Sequence, residues 1–244
     1  MLALGIFVLA AILLLVLTFM RRKSPAVLRS IDAYERLNHA VGLAVENGKR
    51  LHISLGRGNL FTARGGSALA GLAMLRRLAE RTSVSDRPPI VTSGDASLAI
   101  LSQDTLQSGY RAAGAEEQYR STTGRVTGLT PFSYAAGAVP TIHDDNVSAN
   151  VVMGDLGTES ALLAEASDRE NTDLIAASDN ISAQSILYVS SQDPLIGEEL
   201  FAAGAYVGAG ASHEASLQVQ DILRWLVILA ILGGAVLKLL GVNF

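Results

Sequence analysis

The segment SANVVMGDLGTESALLAEAS, residues 148–167, contains the pattern from which the fold can be predicted. Its first part is rich in apolar and β-branched residues and ends near Met153, as expected of a strand that is buried on both faces. Gly154 and Asp155 interrupt the run, and the alanine- and leucine-rich part that follows is typical of a helix. The segment therefore predicts one strand and one covering helix, the repeating unit of a parallel sheet.

The same layout recurs along the chain. PPIVTSGD at residues 88–95 predicts a strand that ends near Thr92 and a helix that Asp95 opens and that continues through Leu106. Further predicted elements are a linking helix at 31–46, a strand at 51–55, a helix at about 67–81, strands and loops within 114–149, and a strand at 172–179. Residues 183–191 form either a strand or a short helix and a strand, and a last helix begins at Asp193 and Pro194. Strands that alternate with helices predict an α/β fold with a doubly wound, mostly parallel, Rossmann-like sheet.

Two apolar runs lie near the ends of the chain. The run from Leu2 to Met20 has no charged residue, and the run from Ile222 to Leu240 contains only Arg224 and Lys238, near its two ends. Each run is long enough to cross about 30 Å of hydrocarbon as a helix. A cleaved signal peptide is the alternative for the first run. Such a peptide requires a basic segment before its apolar core, and no basic residue precedes this run.

These runs predict four parts: a transmembrane helix with a basic stop at 1–23, a linking helix at 24–50, a soluble α/β domain at 51–221, and a second transmembrane helix at 222–244. Arg21, Arg22 and Lys23 directly follow the first run, and basic residues favour the cytoplasmic side of a membrane. We therefore expect a two-pass protein of the inner (plasma) membrane that contacts membrane lipid. Both termini would lie outside the cell and the soluble domain in the cytoplasm.

Charge is unevenly distributed along the soluble region. Residues 24–125 contain 13 basic and 9 acidic residues, a balance of +4. Residues 126–221 contain one basic residue, Arg169, and 14 acidic residues, a balance of −13. This acidity argues against nucleic acid as a partner, because phosphate binding relies on basic surface.

Four segments carry a resemblance to a known family. They are HISLG at 52–56, VTSGDAS at 91–97, VVMGDLGTESALLAEA at 151–166 and DPLIGEELFAAGAYVGA at 193–209. Together with the two apolar runs they resemble an uncharacterised prokaryotic family of small membrane-anchored proteins, known as a domain of unknown function. The resemblance implies a cytoplasmic α/β domain and a membrane anchor, and it transfers no catalytic residue, cofactor or ligand.

A glycine-rich stretch, SLGRGNLFTARGGSA at 54–68, follows the first predicted strand of the domain. Gly56, Arg57, Gly58 and Arg64 could hold a small anion or a nucleotide, because backbone N–H groups, a helix N-terminus and two guanidinium groups would meet there. The spacing departs from a dinucleotide fingerprint, since position 61 is phenylalanine, and no Gly-Lys-Ser/Thr completes a P-loop. A turn followed by a helix cap is the alternative.

The Gly-Asp pairs Gly94-Asp95 and Gly154-Asp155 each follow a predicted strand. Ligands of open α/β sheets bind outside the carboxyl ends of the strands, so these four residues join the candidate ligand site. The alternative is that each carboxylate only stabilises the N-terminus of the next helix, a contribution of roughly 0.3–1 kcal/mol.

No residue pattern identifies a reaction. The HDD run at 143–145 consists of adjacent residues, which rarely converge on one metal ion. Ser54, Ser93 and Ser97 lack a recognisable base and the Gly-x-Ser-x-Gly turn of a hydrolase. His52 lies on a predicted core strand and is expected to be a buried, hydrogen-bonded group. The chain has no cysteine, and we expect no metal, cofactor or catalytic residue.

The segment from Pro194 to Ala205 is predicted as a helix whose apolar and small residues cover a broad arc. Such a helix is buried on more than one side, either at a contact between subunits or at the centre of one domain. The residues that we expect at a subunit contact are Leu195, Ile196, Leu200, Phe201 and Gly204.

Two functional hypotheses follow from these patterns. The first is a non-enzymatic, membrane-anchored protein whose cytoplasmic α/β domain self-assembles into a homo-oligomeric ring, cage or scaffold. Attraction between the two unequally charged parts of neighbouring copies favours it, although pairing of the two parts within one domain explains the charges equally well. The second is a membrane-tethered sensor or enzyme that binds a nucleotide or another small ligand at the strand ends.

Overall fold

The computed structural model describes residues 2–59 and 65–240. The chain divides into two compact units, one made of Arg29–Ala209 and the other of Met1–Leu28 together with Gly210–Phe244. The helices are α1 (Leu2–Arg21), α2 (Asp32–Glu46), α3 (Gly65–Thr82), α4 (Ala96–Ala112), α5 (Pro131–Asp144), α6 (Ser160–Arg169), α7 (Ile181–Ser190), α8 (Ala203–Tyr206) and α9 (Ala211–Leu239). Short 3₁₀ helices occupy Glu116–Gln118, Ser121–Thr123 and Gly197–Ala202.

The larger unit is built on a single six-stranded sheet. Its strands are β1 (Arg50–Gly56), β2 (Ile90–Ser93), β3 (Gly124–Val126), β4 (Val147–Asp155), β5 (Asp173–Ser178) and β6 (Leu195–Ile196). They lie in the order β3-β2-β1-β4-β5-β6, and every neighbouring pair is parallel. The predicted doubly wound α/β fold is confirmed, and the strand order reverses direction between β1 and β4, the topological switch point of such a sheet.

Helices cover both faces of the sheet, because successive residues of each buried strand point to opposite sides. On the first face, α2, α3, α4 and α8 pack against residues such as Ile53 of β1 and Val151 of β4. On the second face, α5, α6 and α7 pack against residues such as Val152 of β4 and Ala176 of β5. Since both faces are buried, the strands carry apolar residues on both sides, except where His52, Ser54, Thr92 and Asn150 are buried as polar groups.

Helix α2, expected as a linking helix, contributes to the core of the larger unit. Tyr34 and Leu37 are fully buried, and the Tyr34 ring stacks on Tyr206 with a centroid distance of 4.6 Å. The Tyr34 hydroxyl donates to the carbonyl oxygen of Glu199 at 2.6 Å. These contacts tie α2 to the segment that follows β6.

The prediction of one helix over residues 194–205 is wrong. Leu195 and Ile196 instead form the edge strand β6, which pairs with Ala177 and Ser178 of β5. Gly197 then adopts a φ of +64°, a left-handed conformation that ends the strand and that glycine tolerates without strain. The 3₁₀ helix and α8 follow, so the segment does not form one helix, and a helical wheel over 194–205 does not describe its faces.

Helix α5 lies in the region for which only strands and loops were expected. Thr130 accepts from the backbone N–H of Ser133, and the Ser133 hydroxyl lies 3.0 Å from the Thr130 nitrogen, so the two form a capping box. Pro131 occupies the first helical position, where its missing N–H costs nothing. These start signals were present in the sequence and were masked by the polar and glycine-rich composition around them.

The smaller unit contains α1 and α9, which pack against each other. Arg21 Nε donates to Gln218 Oε1 at 2.9 Å, and the Ala26 N–H donates to Glu214 Oε2 at 2.7 Å. By length and composition, the spans Ala3–Arg21 and Ala211–Leu239 are both able to cross a membrane.

Candidate functional site

The candidate ligand residues that the structure describes lie together at the carboxyl edge of the sheet. Gly56 at the end of β1 is paired with Asp155 at the end of β4. The Gly94 N–H donates to the Gly56 carbonyl oxygen at 2.8 Å, and the Arg57 N–H donates to the Asp155 carbonyl oxygen at 2.9 Å. Backbone hydrogen bonds therefore join the ends of β1, β2 and β4 directly at the switch point. Gly58 follows on the same turn and is buried, whereas Arg64 lies outside the described residues.

Two glycines at this edge are required by the close approach of β1 and β4. Gly56 has a φ of +68° and Gly154 a φ of +151°. A Cβ on Gly56 would overlap the carbonyl oxygen of Asp155, and a Cβ on Gly154 would overlap that of Leu55. The packing of the two strands thus accounts for these glycines without a ligand.

Arg57 covers the end of the strands and forms an ion pair with Glu159. Arg57 Nε lies 3.3 Å from Glu159 Oε1, and the Glu159 side chain is only 2% exposed. The aliphatic part of Arg57 packs against Gly94, where a Cβ would overlap the arginine Cγ. Burial of a carboxylate is costly without a partner, so Arg57 provides the compensation that Glu159 needs. Sequence reasoning missed Glu159, because it reads as an ordinary acidic residue at the start of a helix.

Asp95 serves as the N-cap of α4. Its carboxylate accepts the Leu98 N–H at 3.1 Å and the Ser97 hydroxyl. The hydrogen bond from Ser97, together with the backbone donors, lowers the pKa of this carboxyl group below its ordinary value. The helix-cap alternative therefore describes what Asp95 does in this structure.

A chain of buried polar side chains runs beneath this edge on the second face of the sheet. His52 Nδ1 lies 2.7 Å from the amide oxygen of Asn150, and His52 Nε2 lies 2.9 Å from the Thr92 hydroxyl. The amide oxygen accepts, which places the imidazole proton on Nδ1, and Thr92 then donates to Nε2. Burial lowers the pKa of His52 to about 4, so the ring is neutral at pH 7.

The polar chain continues from His52 in both directions. Asn150 donates its amide to the Ser167 hydroxyl at 2.8 Å. In the other direction, the Tyr134 hydroxyl lies 3.4 Å from the Thr92 hydroxyl, is hydrogen-bonded to Ser54, and accepts the Gly56 N–H at 3.3 Å. The network is fully buried and hydrogen-bonded, as the sequence predicted for His52, and it links the second-face core to the strand ends.

Within the described parts of the chain, no three His, Asp or Glu side chains are arranged to hold one metal ion. His143 of the HDD run instead pairs with Glu170, whose carboxylate lies 2.6 Å from Nδ1 and raises the pKa of the histidine. Among the residues that the structure describes, the carboxyl edge brings together the Arg57–Glu159 ion pair, the Asp95 helix cap and backbone groups that bond to one another.

The residues expected at a subunit contact divide into two groups. Leu195, Leu200 and Gly204 are buried within the larger unit, where the first two belong to the first-face core. Ile196 is 38% exposed and Phe201 is 36% exposed. The Phe201 ring lies beside Gly66 at the start of α3, since a Cβ on that glycine would be 3.3 Å from the ring. Of the five residues, Ile196 and Phe201 are therefore the ones available to a partner.

Several ion pairs join the two unequally charged parts of the sequence inside the larger unit. Besides Arg57 with Glu159, they are Arg29 with Glu199 at 2.7 Å, Arg36 with Asp193 at 2.5 Å, Arg50 with Asp145 at 3.7 Å and Arg125 with Asp145 at 3.5 Å. Intramolecular pairing thus accounts for part of the charge asymmetry, as the alternative explanation required.

Helix α7 exposes an apolar surface that sequence reasoning did not identify. The helix has no charged residue, and its inner residues Ala183 and Leu187 are buried in the second-face core. Its outer residues, spaced as i, i+4, i+7 and i+8, form what we call the α7 stripe: Ile181, Ser185, Tyr188 and Val189. All four are exposed to solvent. A helix that is apolar on two sides normally packs on two sides, so the α7 stripe is a surface suited to a partner.

Comparison with known proteins gives one match. A family model described as Domain of unknown function (DUF6754) matches residues 1–244. No curated protein and no solved structure matches the chain. The family description assigns no activity.

Proposed function

Since the chain belongs to a family without an assigned activity, described as Domain of unknown function (DUF6754), we propose its function from its own residues. The protein is a non-enzymatic, membrane-anchored protein that self-assembles. In this proposal α1 and α9 anchor the protein in the inner membrane, and the α/β unit associates with further copies into a homo-oligomeric ring, cage or scaffold. The basic residues Arg21, Arg22 and Lys23 support a cytoplasmic α/β unit with both termini outside.

The observation that carries this proposal is the α7 stripe. Val189 is 84% exposed, Ile181 79% and Tyr188 67%, and all three lie on one side of a helix without charges. Removal of apolar area from water contributes roughly 25 cal/mol per Å², which favours covering such a surface. The opposite side of α7 already packs against the second-face core. Residues that cover the α7 stripe would therefore belong to a partner rather than to this core.

The local chemistry supports a non-enzymatic role. Strand packing accounts for Gly56 and Gly154, helix capping accounts for Asp95, and Arg57 and Glu159 pair with each other. A catalytic site would need polar groups that converge on a reacting atom rather than on one another.

The proposal predicts that Val189→Asp breaks the assembly. A carboxylate at a desolvated contact costs about 3 kcal/mol or more, which weakens association at least about a hundredfold. The native mass of the full chain in mild detergent, measured by light scattering, should fall from that of several copies to that of one copy.

Val84→Asp is the matched control, because Val84 is 76% exposed but lies in the turn after α3, away from α7. This variant should keep the wild-type mass. A wild-type protein that is monomeric at all concentrations would refute self-assembly, and an unchanged mass for Val189→Asp would remove the α7 stripe from the contact.

The second candidate function, binding of a nucleotide or another small anionic ligand, is favoured by one observation. The switch point between β1 and β4 is the place where ligands bind in doubly wound sheets, and Arg57 lies there. A ligand would have to take Arg57 from Glu159. A nucleotide or inorganic phosphate that bound in this way would raise the melting temperature of wild type and of Arg87→Gln, an exposed control, but not of Arg57→Gln.

A further inference from the structure

Helices α3 and α6 lie on opposite faces of the sheet and carry opposite net charges. Helix α3, on the first face, contains Arg76, Arg77 and Arg81 against Glu80, a balance of +2. Helix α6, on the second face, contains Glu165 and Asp168 against Arg169, a balance of −1. The segment 197–207 returns to the first face, where Arg29 pairs with its Glu199.

The exposed surface of α3 on the first face combines small, apolar and basic residues. Gly66, Leu69, Ala73 and Arg76 follow one another at helical spacing and are exposed or half-exposed; we call them the α3 face. Phe201 extends this surface, because its ring lies beside Gly66. Small residues let another helix approach closely, and interaxial distances of about 8–10 Å depend on the side chains at the contact.

On the second face, a groove of about 340 Å³ lies between α6 and α7. Its floor and walls include Ala164, Ile186 and Val189, and its α6 side carries Glu165 and Asp168. Val189 belongs to the α7 stripe, so the groove and the stripe form one continuous surface. This surface is apolar at α7 and acidic at α6.

We propose that the groove between α6 and α7 receives the α3 face of a second copy of this chain. The inference rests on the proposed self-assembly and names the two surfaces that meet. Small and apolar residues of the α3 face would cover the α7 stripe, and Arg76 would meet Glu165 and Asp168. These groups now form local pairs, Arg76 with Glu80 and Arg169 with Glu165, in which both arginines are exposed, so the pairs exchange at little cost.

Charge also argues against a two-fold contact between two α6–α7 surfaces. Such a contact would bring Glu165 and Asp168 of one copy against the same residues of the other, and like charges repel each other across an interface. Because α3 and the groove lie on opposite faces of the sheet, their pairing is head-to-tail. A head-to-tail contact closes into a ring or continues as a filament.

The absence of cysteine from the chain allows a direct test by cross-linking. The double variant Ala73→Cys/Ser190→Cys, prepared as the full chain in mild detergent, is treated with a short flexible bis-maleimide. A head-to-tail contact links each copy to two others, so a ladder of dimers, trimers and higher species is expected. Either cysteine alone should give at most background, because its counterpart on the neighbouring copy is missing.

The controls separate this inference from the proposed function. In Val84→Cys/Ser190→Cys the first cysteine moves away from the α3 face, and the ladder should disappear. Dimers from Ser190→Cys alone would establish a two-fold contact and overturn the head-to-tail pairing. An oligomeric native mass without a ladder would overturn the pairing but keep self-assembly, whereas a monomeric mass would overturn both.

Charge reversal provides a second arm with its own rescue. Arg76→Glu in the double-cysteine background should reduce the ladder to background, and the additional change Glu165→Arg should restore it. A ladder that neither Arg76→Glu nor the additional Glu165→Arg alters would show that Arg76 and Glu165 do not meet.

Discussion

Gly154→Ala is expected to lower the free energy of unfolding by about 4 kcal/mol. The residue has a φ of +151°, and such a conformation costs a residue with a side chain about 1–3 kcal/mol. The new Cβ would also overlap the carbonyl oxygen of Leu55 and lie 2.7 Å from its carbonyl carbon. Backbone cannot move aside as a flexible side chain can, so overpacking adds about 1–3 kcal/mol. Urea unfolding of the full chain in detergent, followed by far-ultraviolet circular dichroism, measures the loss.

Gly42→Ala is the control, because it is the same substitution in a different environment. Gly42 lies inside α2, and a Cβ there would have no heavy atom within 4 Å apart from the helix's own backbone. Alanine should raise the free energy of unfolding by about 0.5–1 kcal/mol through helix propensity and a less flexible unfolded chain. Equal effects of the two substitutions would contradict the close approach of β1 and β4.

Acidification from pH 7 to pH 5 is expected to remove about 2 kcal/mol of stability through His52. The pKa of His52 is lowered from 6.5 to about 4 by burial, so the unfolded chain takes up the proton first. A group of this kind stabilises the fold fully above its unfolded pKa. That stability is lost progressively as the pH falls from 6.5 towards 4.

Two variants isolate this contribution. His52→Gln should be less stable than wild type at pH 7 and should lose about 2 kcal/mol less on acidification. His143→Gln should not reduce the loss of stability on acidification. Glu170 raises the pKa of His143, so the stabilising effect of the protonated histidine is present at low pH and is lost as the pH rises. An acid loss that His52→Gln leaves unchanged would mean that His52 is not buried as a neutral ring. Unfolding midpoints at the two pH values provide the comparison.

The sequence predicted those features that arise from repeated local patterns. A β-branched run, a Gly-Asp pair and an alanine-rich run occur at both 90–106 and 148–167, and each became a strand followed by a helix. Because strands of a parallel sheet end at the same edge, the Gly-Asp pairs and Gly56 were correctly expected to lie together. The ion pair that Arg57 makes at this edge depends on Glu159, and the burial of Glu159 results from tertiary contacts that no local pattern encodes.

Other features depended on contacts that no local pattern encodes. The segment after Asp193 has helical composition, but Leu195 and Ile196 gain more from pairing with the open edge of β5. The opposite error occurred at α5, where Thr130 and Pro131 start a helix in a segment that composition assigned to loops. The α7 stripe was missed because 183–191 is short and its apolar residues form one run, Ile186–Val189, which does not distinguish a strand from a helix by periodicity.

The pairing of β1 with β4 at the centre of the sheet also has a consequence for biosynthesis. His52 and Asn150, which are partners in the register, are 98 residues apart in the sequence. At about 5–20 residues per second, a ribosome needs roughly 5–20 s to supply the second strand after the first. During that interval one edge of strand β1 stays unpaired, and the apolar span Ala3–Arg21 has already been synthesised. The nascent chain is therefore exposed to aggregation in this window, and its yield in cells should depend on translation rate and chaperone supply more than the stability of the finished fold would suggest.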